Sequence, residues 1–298
     1  LHSTSRRQRQ MCIRDRFWVL ISNISNLLLN GLDLLFSNWF ISSAIMGRLS
    51  LAKQIPLALS NALGVFSNIF SSALTKVFAS DGNNKLIYEA NSQLKILTMF
   101  FTVPYAGIIV FGYDFLKLWL SDTSYTRTQF VEIYILMILV LLDIIISTYM
   151  YSIHSIFIAI DKVRIYSVVL LVSSIISIAT TLVLLKCTGL GVYAIAGTST
   201  VILGFTHGVI VPACAAKLLH RPIWTFWKTE FRSWASLAVI CVVFSVVKNF
   251  MDFPNWISFF INIMIAGLIG YILEFILVFS KQEKKEIISI INLKLIRK

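Results

Sequence analysis

Residues 17–46 read FWVLISNISNLLLNGLDLLFSNWFISSAIM, a stretch in which Asp33 is the only charged residue. A run of 18 or more mostly apolar residues indicates a helix that spans a membrane. Five polar residues of this run recur at steps of three and four, which places them on one face of the helix. They are Asn23, Asn26, Asn30, Asp33 and Ser37. The stretch therefore predicts a transmembrane helix with one polar face.

The rest of the chain repeats this apolar character. Hydrophobic residues make up 57% of the sequence and charged residues 13%, whereas a soluble domain carries about 25% charge. Eight long apolar runs are predicted to span the membrane: 17–46, 54–79, 92–120, 129–160, 163–186, 190–213, 233–250 and 255–280. The predicted fold class is an all-α polytopic membrane protein, and the polar stretch 81–93 is expected to connect the second and third spans.

The second span carries a polar stripe like that of the first. Beside Ser60 and Gly64, its members are Asn61, Ser67, Asn68, Ser71 and Thr75. Polar groups inside a bilayer usually face the interior of the helix bundle or a hydrated cavity. Two successive stripes therefore predict two walls of one cavity. The alternative is that these groups form hydrogen bonds between helices.

A third polar face lies on the fourth span, with Asp143, Ser147, Tyr151 and His154. Asp143 and His154 are a candidate ion or proton relay, since intramembrane carboxylates and histidines commonly mark such paths. The alternative is a structural role for His154. His207 and Glu274 have no titratable neighbour along their own helices, and both are interpreted as structural.

Two further patterns concern packing. Asp114 and Lys117 lie three positions apart and are expected to pair locally. The sixth span has a stripe of small residues, which favours close helix packing. Its members are Ala194, Gly197, Val201, Gly204 and Gly208.

The formal net charge is +12, and the basic residues lie mainly between the spans. With the first span starting in the cytoplasm and residues 1–16 left out of the count, fifteen of them fall in cytoplasmic segments and six outside, so both ends are predicted to be cytoplasmic. Residues 217–232 are basic and aromatic, as in an interfacial segment, and 281–298 form a basic amphipathic tail. No basic patch of the nucleic-acid-binding type occurs, and no nucleic acid partner is expected.

The first sixteen residues, LHSTSRRQRQMCIRDR, differ from everything that follows. They are rich in arginine and lack apolar periodicity and the apolar core of a signal peptide. They are expected to be a non-native leader, and the alternative is a cytoplasmic arginine arm that fixes orientation.

Motifs of catalysis are absent from the sequence: it has no phosphate-binding glycine loop, no HExxH and no GxSxG. The four cysteines form no CxxC pair and have no histidine cluster beside them, so no metal site and no cofactor are expected. We therefore expect a protein without enzymatic activity.

Several segments in order resemble polysaccharide flippases, the exporters of O-antigen, capsule or teichoic-acid type in the multidrug/oligosaccharidyl-lipid/polysaccharide superfamily. They are GLDLLFSNWFISSAIMGRLSLAKQI (31–55), DGNNK (81–85), FLKLWL (115–120), AIDKVRIYSVV (159–169) and LLKCTGLGVYAIAGTS (184–199). The resemblance implies a C-terminal fragment of a longer transporter. Residues 17–213 would form the second six-helix bundle, 214–232 a connector, and 233–280 two extra helices.

The resemblance further implies a location in the bacterial cytoplasmic membrane and alternating access to a central cavity. The substrate would be an undecaprenyl-pyrophosphate-linked oligosaccharide, and the polar stripes of the first two spans would line its path. The basic residues nearest to those stripes, Lys76, Arg48 and Lys53, would be the candidate phosphate contacts. Partners would include membrane lipids, the missing N-terminal bundle, and a polysaccharide polymerase or glycosyltransferases.

Three other functions remain open at this point. A drug/cation antiporter of the same superfamily would use acidic cavity residues, and Asp33 is then a candidate site for a coupling ion. A lipid II flippase for peptidoglycan has the same expected fold. A polytopic membrane protein with no transport role, either a glycosyltransferase or a scaffold, is the third.

Overall fold

A computed structural model describes residues 2–121, 123, 125–279 and 284. Side chains are described from Arg16 onward within these ranges, except those of Asn30, Asn68, Asp81, Tyr149 and Met150. Every regular element in the described part is a helix. The helices are α1 (His2–Phe40), α2 (Ser43–Trp119), α3 (Arg127–Ala159), α4 (Val163–Cys187), α5 (Val192–Phe205), a π-helical turn (Thr206–Ile210), α6 (Val211–Leu218), α7 (Trp224–Lys248) and α8 (Trp256–Val278).

Eight stretches of the described chain are helical, long enough and apolar enough to cross a membrane. Their bounds are Arg16–Phe40, Ser43–Ser80, Gly82–Trp119, Arg127–Ala159, Val163–Cys187, Val192–Leu218, Trp224–Lys248 and Trp256–Val278. The predicted all-α polytopic fold is confirmed, and the chain is a multi-pass membrane protein.

The polar stretch 81–93 differs from its prediction as a connecting loop. The helix resumes directly after Gly82, whose φ of 73° makes it the break within α2. A glycine accepts this left-handed conformation at little cost because it has no Cβ. Beyond it, Leu86 and Ala90 lie one turn apart and are both buried. This apolar face packs into a hydrophobic cluster, which explains why so polar a segment is helical.

The connector predicted at 214–232 is largely helical. α6 extends to Leu218 and α7 begins at Trp224, so only residues 219–223 lie between the helices. At the chain's start, the backbone of the arginine-rich segment continues into α1 without a break. The amphipathic tail predicted at 281–298 lies outside the described residues, apart from Lys284. The predicted domain boundaries and the non-native origin of the leader stay predictions.

The chain divides into two compact units, and each is described by itself. Unit 1 comprises residues 1–94 and 119–227. In it α1 packs mainly against α4, and α3 against α5. A hydrogen bond of 2.7 Å joins the hydroxyls of Ser22 and Ser167 across the α1–α4 contact. Ser167 also donates to the carbonyl of Trp18, at 2.8 Å. These bonds fix the register of the two helices.

Unit 2 comprises residues 95–118 and 228–298, and so contains the end of α2 together with α7 and α8. Its core is aromatic, with Phe111, Phe244 and Phe259 buried together. Gly270 of α8 lies so close to its neighbours that an added Cβ would be 2.8 Å from the Phe244 ring. This glycine therefore permits the close approach of α7 and α8.

Candidate functional site

A cavity of about 380 Å³ lies among the helices of unit 1. The volume falls within the range of small-molecule sites, about 300–1,000 Å³. Its polar lining consists of Ser22, Asn23, Asn26, Ser60, Asp143, Ser147, Tyr151, His154, Tyr166 and His207. Amides, hydroxyls, one carboxylate and two imidazoles thus face one space between helices that are otherwise apolar. Such a lining suits a ligand with many hydrogen-bonding groups.

The longest wall of the cavity comes from α3. Asp143, Ser147, Tyr151 and His154 follow one another at steps of four, four and three, and all four line the cavity. Residues at these steps lie above one another on one face of a helix. The polar face that the sequence indicates for this span therefore faces the cavity.

Only the N-terminal end of the polar stripe on α1 contributes to the cavity lining. Asn23 and Asn26 line the cavity, whereas Asp33 and Ser37 do not. The stripe from 23 to 37 is about 21 Å long at 1.5 Å per residue, so it extends beyond one small cavity. Ser37 is fully buried. The side chain of Asn30 lies outside the described part of the structure.

The stripe on α2 is placed differently from its prediction as the second wall. Ser60 alone of its described members lines the cavity, and α3 supplies that wall instead. Ser67 is buried elsewhere, and Asn61 and Thr75 are exposed. Ser71 is half-buried, and the side chain of Asn68 is not described. Substrate contact by these α2 residues stays a prediction.

Asp143 is linked through Ser147 to His207, which follows Ser147 by 60 residues in the sequence. The Ser147 hydroxyl lies 3.4 Å from Asp143 Oδ1 and 2.7 Å from Nδ1 of His207. A serine hydroxyl has only one hydrogen to donate. When Ser147 donates to Asp143, Nδ1 of His207 must donate to Ser147. Nε2 of a neutral His207 is then a free acceptor, and it has no hydrogen-bond partner within the described residues.

His207 belongs to the π-helical turn at Thr206–Ile210. Such turns are rare and occur frequently at functional sites, because the extra residue re-aims the side chains around it. The turn is held by hydroxyl bonds: Thr206 lies 2.7 Å from the Ser173 hydroxyl of α4 and also donates to Ile202. His207 is therefore not isolated, because Ser147 of α3 contacts it, and its interpretation as a structural residue stays a prediction.

His154 has a separate neighbour in the same cavity. Its ring centroid lies 4.3 Å from that of Tyr166 on α4. The hydrogen-bond chain from Asp143 leads to His207 rather than to His154. Asp143 and His154 therefore line the same cavity, but the described contacts do not join them. The relay between these two residues stays a prediction.

Asp33 forms a buried ion pair with Lys53 of α2. Lys53 Nζ is 2.7 Å from Asp33 Oδ2, and the two side chains are 4% and 12% exposed. The Ser199 hydroxyl of α5 lies 3.4 Å from the other carboxylate oxygen. Three helices of unit 1 thus meet at this pair. Lys53 is paired with the Asp33 carboxylate and does not line the cavity.

The other two predicted phosphate contacts lie apart from each other. Arg48 Nε is 2.9 Å from Glu132 of α3. Lys76 is exposed on α2. Neither lines the cavity, so their contact with phosphate stays a prediction. Within the described part of the chain, no group of three or more His, Cys, Asp or Glu side chains is arranged to hold a metal ion.

Comparison with known proteins gives a weak relative that matches most of this chain. The chain is 18% identical, over 272 residues, to an uncharacterized membrane protein, EpsK, of Bacillus subtilis (strain 168). The match covers 91% of this chain and 53% of that protein, so the chain spans about half the length of the relative. No family model matches. No solved structure matches either.

Proposed function

We propose that this chain forms part of a flippase for lipid-linked oligosaccharides, and that the cavity of unit 1 belongs to the path of the sugar headgroup. The observation that carries the proposal is the polar lining of a space enclosed by membrane helices. Sugar hydroxyls are donors and acceptors at once, and the amides of Asn23 and Asn26 offer both functions. Apolar helix faces outside this lining suit the polyprenyl chain and the surrounding lipid.

The transported substrate in this proposal is a polyprenyl-pyrophosphate-linked oligosaccharide, carried from the cytoplasmic to the outer leaflet by alternating access. The chain has about half the length of the relative that it matches. A second bundle would therefore supply the opposite wall and most of the cationic contacts to pyrophosphate. No bond of the substrate is made or broken, and the proposed protein is not an enzyme. A polysaccharide polymerase or glycosyltransferases are the proposed partners.

The proposal is tested with the full-length protein in liposomes that contain a fluorescent lipid-linked oligosaccharide. Asn23→Leu should slow the appearance of the oligosaccharide in the opposite leaflet, because it removes an amide that lines the cavity. Asn38→Leu is the matched control, since Asn38 is an exposed asparagine on the same helix outside the cavity. Equal rates for the two variants, with both correctly folded, would refute the proposed path.

A second function is favoured by one specific observation. Asp143, Ser147 and His207 form a hydrogen-bonded chain in the cavity, and such a chain suits a drug/cation antiporter that exchanges its substrate for protons. The same liposomes separate the two functions when they are loaded with a cationic dye. Proton-driven dye efflux without oligosaccharide transfer would favour the antiporter.

A further inference from the structure

Glu274 of α8 is a carboxyl group that the proposed transport path does not use. It lies in unit 2, within the candidate span Trp256–Val278, and is 0% exposed. The sequence interpretation treats it as isolated, but two hydroxyl groups surround it. Ser236 of α7 is 3.1 Å from Oε1, and Thr102 of α2 is within hydrogen-bonding reach of the carboxyl group. Three helices therefore converge on this one side chain.

Donor counting decides which form of the carboxyl group fits these contacts. The Ser236 hydroxyl lies 2.8 Å from the carbonyl oxygen of Ser233 as well as 3.1 Å from Glu274. It has one hydrogen, and the shorter contact is with the carbonyl. When that hydrogen goes to the carbonyl, the contact with Glu274 needs a hydrogen from Glu274 itself. The carboxyl group must then be protonated and donate to Ser236.

The absence of a paired cation is a second, independent reason to expect that Glu274 is protonated. No ion pair of Glu274 occurs among the described residues of unit 2. An ionised carboxylate without a cation is costly to bury in an apolar interior, whereas the protonated acid is not. The remaining oxygen, Oε2, has no hydrogen-bond partner within the described part. One hydroxyl donor, or two, would be weak compensation for a full negative charge.

The titratable and charged groups on the three helices around Glu274 include no cation paired with it among the described residues. On α7, Glu230 is also buried, and the exposed Arg232 donates to the carbonyl of Leu277. On α8, the hydroxyl of Tyr271 donates to the carbonyl of Phe100. In the Lys95–Leu118 segment of α2, the titratable residue nearest to Thr102 along the chain is Tyr105. Its ring packs on that of Phe101.

Three buried polar residues lie on the same helix, α7, as the Ser236 contact of Glu274. Glu230, Ser233 and Ser236 follow at steps of three on one buried face. The Ser233 hydroxyl lies 3.0 Å from that of Thr98 and also donates to the carbonyl of Thr229. These side chains give α7 a buried polar face along an otherwise apolar contact.

We propose that Glu274 is a proton-binding site within unit 2, in which the acid donates its proton to the Ser236 hydroxyl. The proposal does not depend on what the cavity of unit 1 carries. The bound ion is proposed to be a proton, because the 3.1 Å between the two oxygens is the length of a direct hydrogen bond.

The test uses dicyclohexylcarbodiimide, an apolar reagent that adds the O–H of a protonated carboxylic acid across one of its C=N bonds. The full chain is treated in liposomes over a range of pH, and the adduct is located by mass spectrometry. We expect Glu274 to be modified at neutral pH and less so as the pH rises. Glu132, which is paired with Arg48, is the internal control and should stay unmodified. Glu274→Gln should remove the adduct and remain folded.

Ser236→Ala distinguishes this account from a merely structural carboxylate. If the acid donates to Ser236, the variant loses the acceptor, and labelling should fall away at a lower pH than in the wild type. A fall at a higher pH would show that Ser236 donates to an ionised carboxylate and would overturn the proposal. Absence of labelling at neutral pH, or protection by sodium chloride but not by choline chloride, would overturn it as well.

Discussion

At the scale of single residues, the bond between Ser147 and His207 gives the cavity of unit 1 its chemical character. A neutral His207 that donates from Nδ1 can accept one proton at Nε2. The resulting imidazolium lies one hydroxyl away from the Asp143 carboxylate, which would balance its charge. The hydrogen-bonded group of Asp143, Ser147 and His207 therefore has two protonation states, which differ in charge within the proposed substrate path.

The first prediction concerns this histidine. His207→Asn keeps an amide donor near Ser147 but cannot take up a second proton. We expect transport by the full-length protein to lose its dependence on pH and to fall about tenfold, since a hydrogen bond to a charged group contributes about 1.5–3 kcal/mol. His154→Asn is the control and should retain the pH dependence. The measurement is the initial transport rate in liposomes at several pH values, and an unchanged profile in His207→Asn would contradict the account.

The second prediction concerns the ion pair of Asp33 and Lys53. Asp33→Asn leaves Lys53 without this carboxylate at a position where it is only 4% exposed. Removing one partner of a buried pair costs about 3–5 kcal/mol, whereas replacing both by apolar residues is often neutral. We therefore expect Asp33→Asn to lower the melting temperature in detergent, and Asp33→Leu with Lys53→Met to restore most of it. A double variant less stable than the single one would disprove this coupling.

These residues also show which parts of the candidate site can be predicted from the sequence. The face formed by Asp143, Ser147, Tyr151 and His154 is predictable, because the helical repeat alone places residues at these steps together. The link to His207 is not, since it depends on how α3 packs against the π-helical turn. The ion pair of Asp33 and Lys53 likewise joins two helices. One signal was available in the sequence: a histidine within an apolar span is itself a functional-site candidate.

At the scale of elements, long apolar runs predict the helices well, and polar segments between them are less certain. Residues 81–93 look like a loop by composition, yet Leu86 and Ala90 give them an apolar face that packs inside unit 1. A similar limit applies to Asp114. Its expected partner was Lys117, but its carboxylate lies 2.5 Å from Lys248 of α7. Lys117 instead lies over the Tyr113 ring. Tertiary contacts thus override spacing along one helix.

The third prediction belongs to the contact between α5 and α3. A Cβ on Gly204 would lie 3.0 Å from the terminal methyl group of Ile146, so a larger side chain must displace Ile146 or push the helices apart. We expect Gly204→Leu to destabilise unit 1 by about 1–3 kcal/mol, as overpacking usually does. Gly197→Leu is the matched control, because a Cβ at Gly197 meets nothing within 4 Å. The amount of monodisperse protein after detergent extraction should fall only for Gly204→Leu, and an equal yield would argue against close packing here.

At the scale of the whole molecule, the orientation in the membrane is the next property to establish. Charge asymmetry predicts cytoplasmic ends, which would place the end of α4 outside. Cys187 lies at that end and is an exposed free cysteine. We expect a membrane-impermeant maleimide to label it in intact cells, and Cys187→Ser to abolish this labelling. Labelling of Cys187 only after the cells are permeabilised would reverse the predicted orientation.

The measurement that tests the central claim most directly is photocrosslinking in cells that produce the polysaccharide. A photoreactive amino acid replaces Asn23 in the full-length protein, and Asn38, which is exposed outside the cavity, in a parallel control. The account predicts that illumination attaches lipid-linked oligosaccharide to the protein from position 23 and not from position 38. Equal attachment from both positions, or attachment from position 38 alone, would contradict the assignment of the unit 1 cavity to the substrate path.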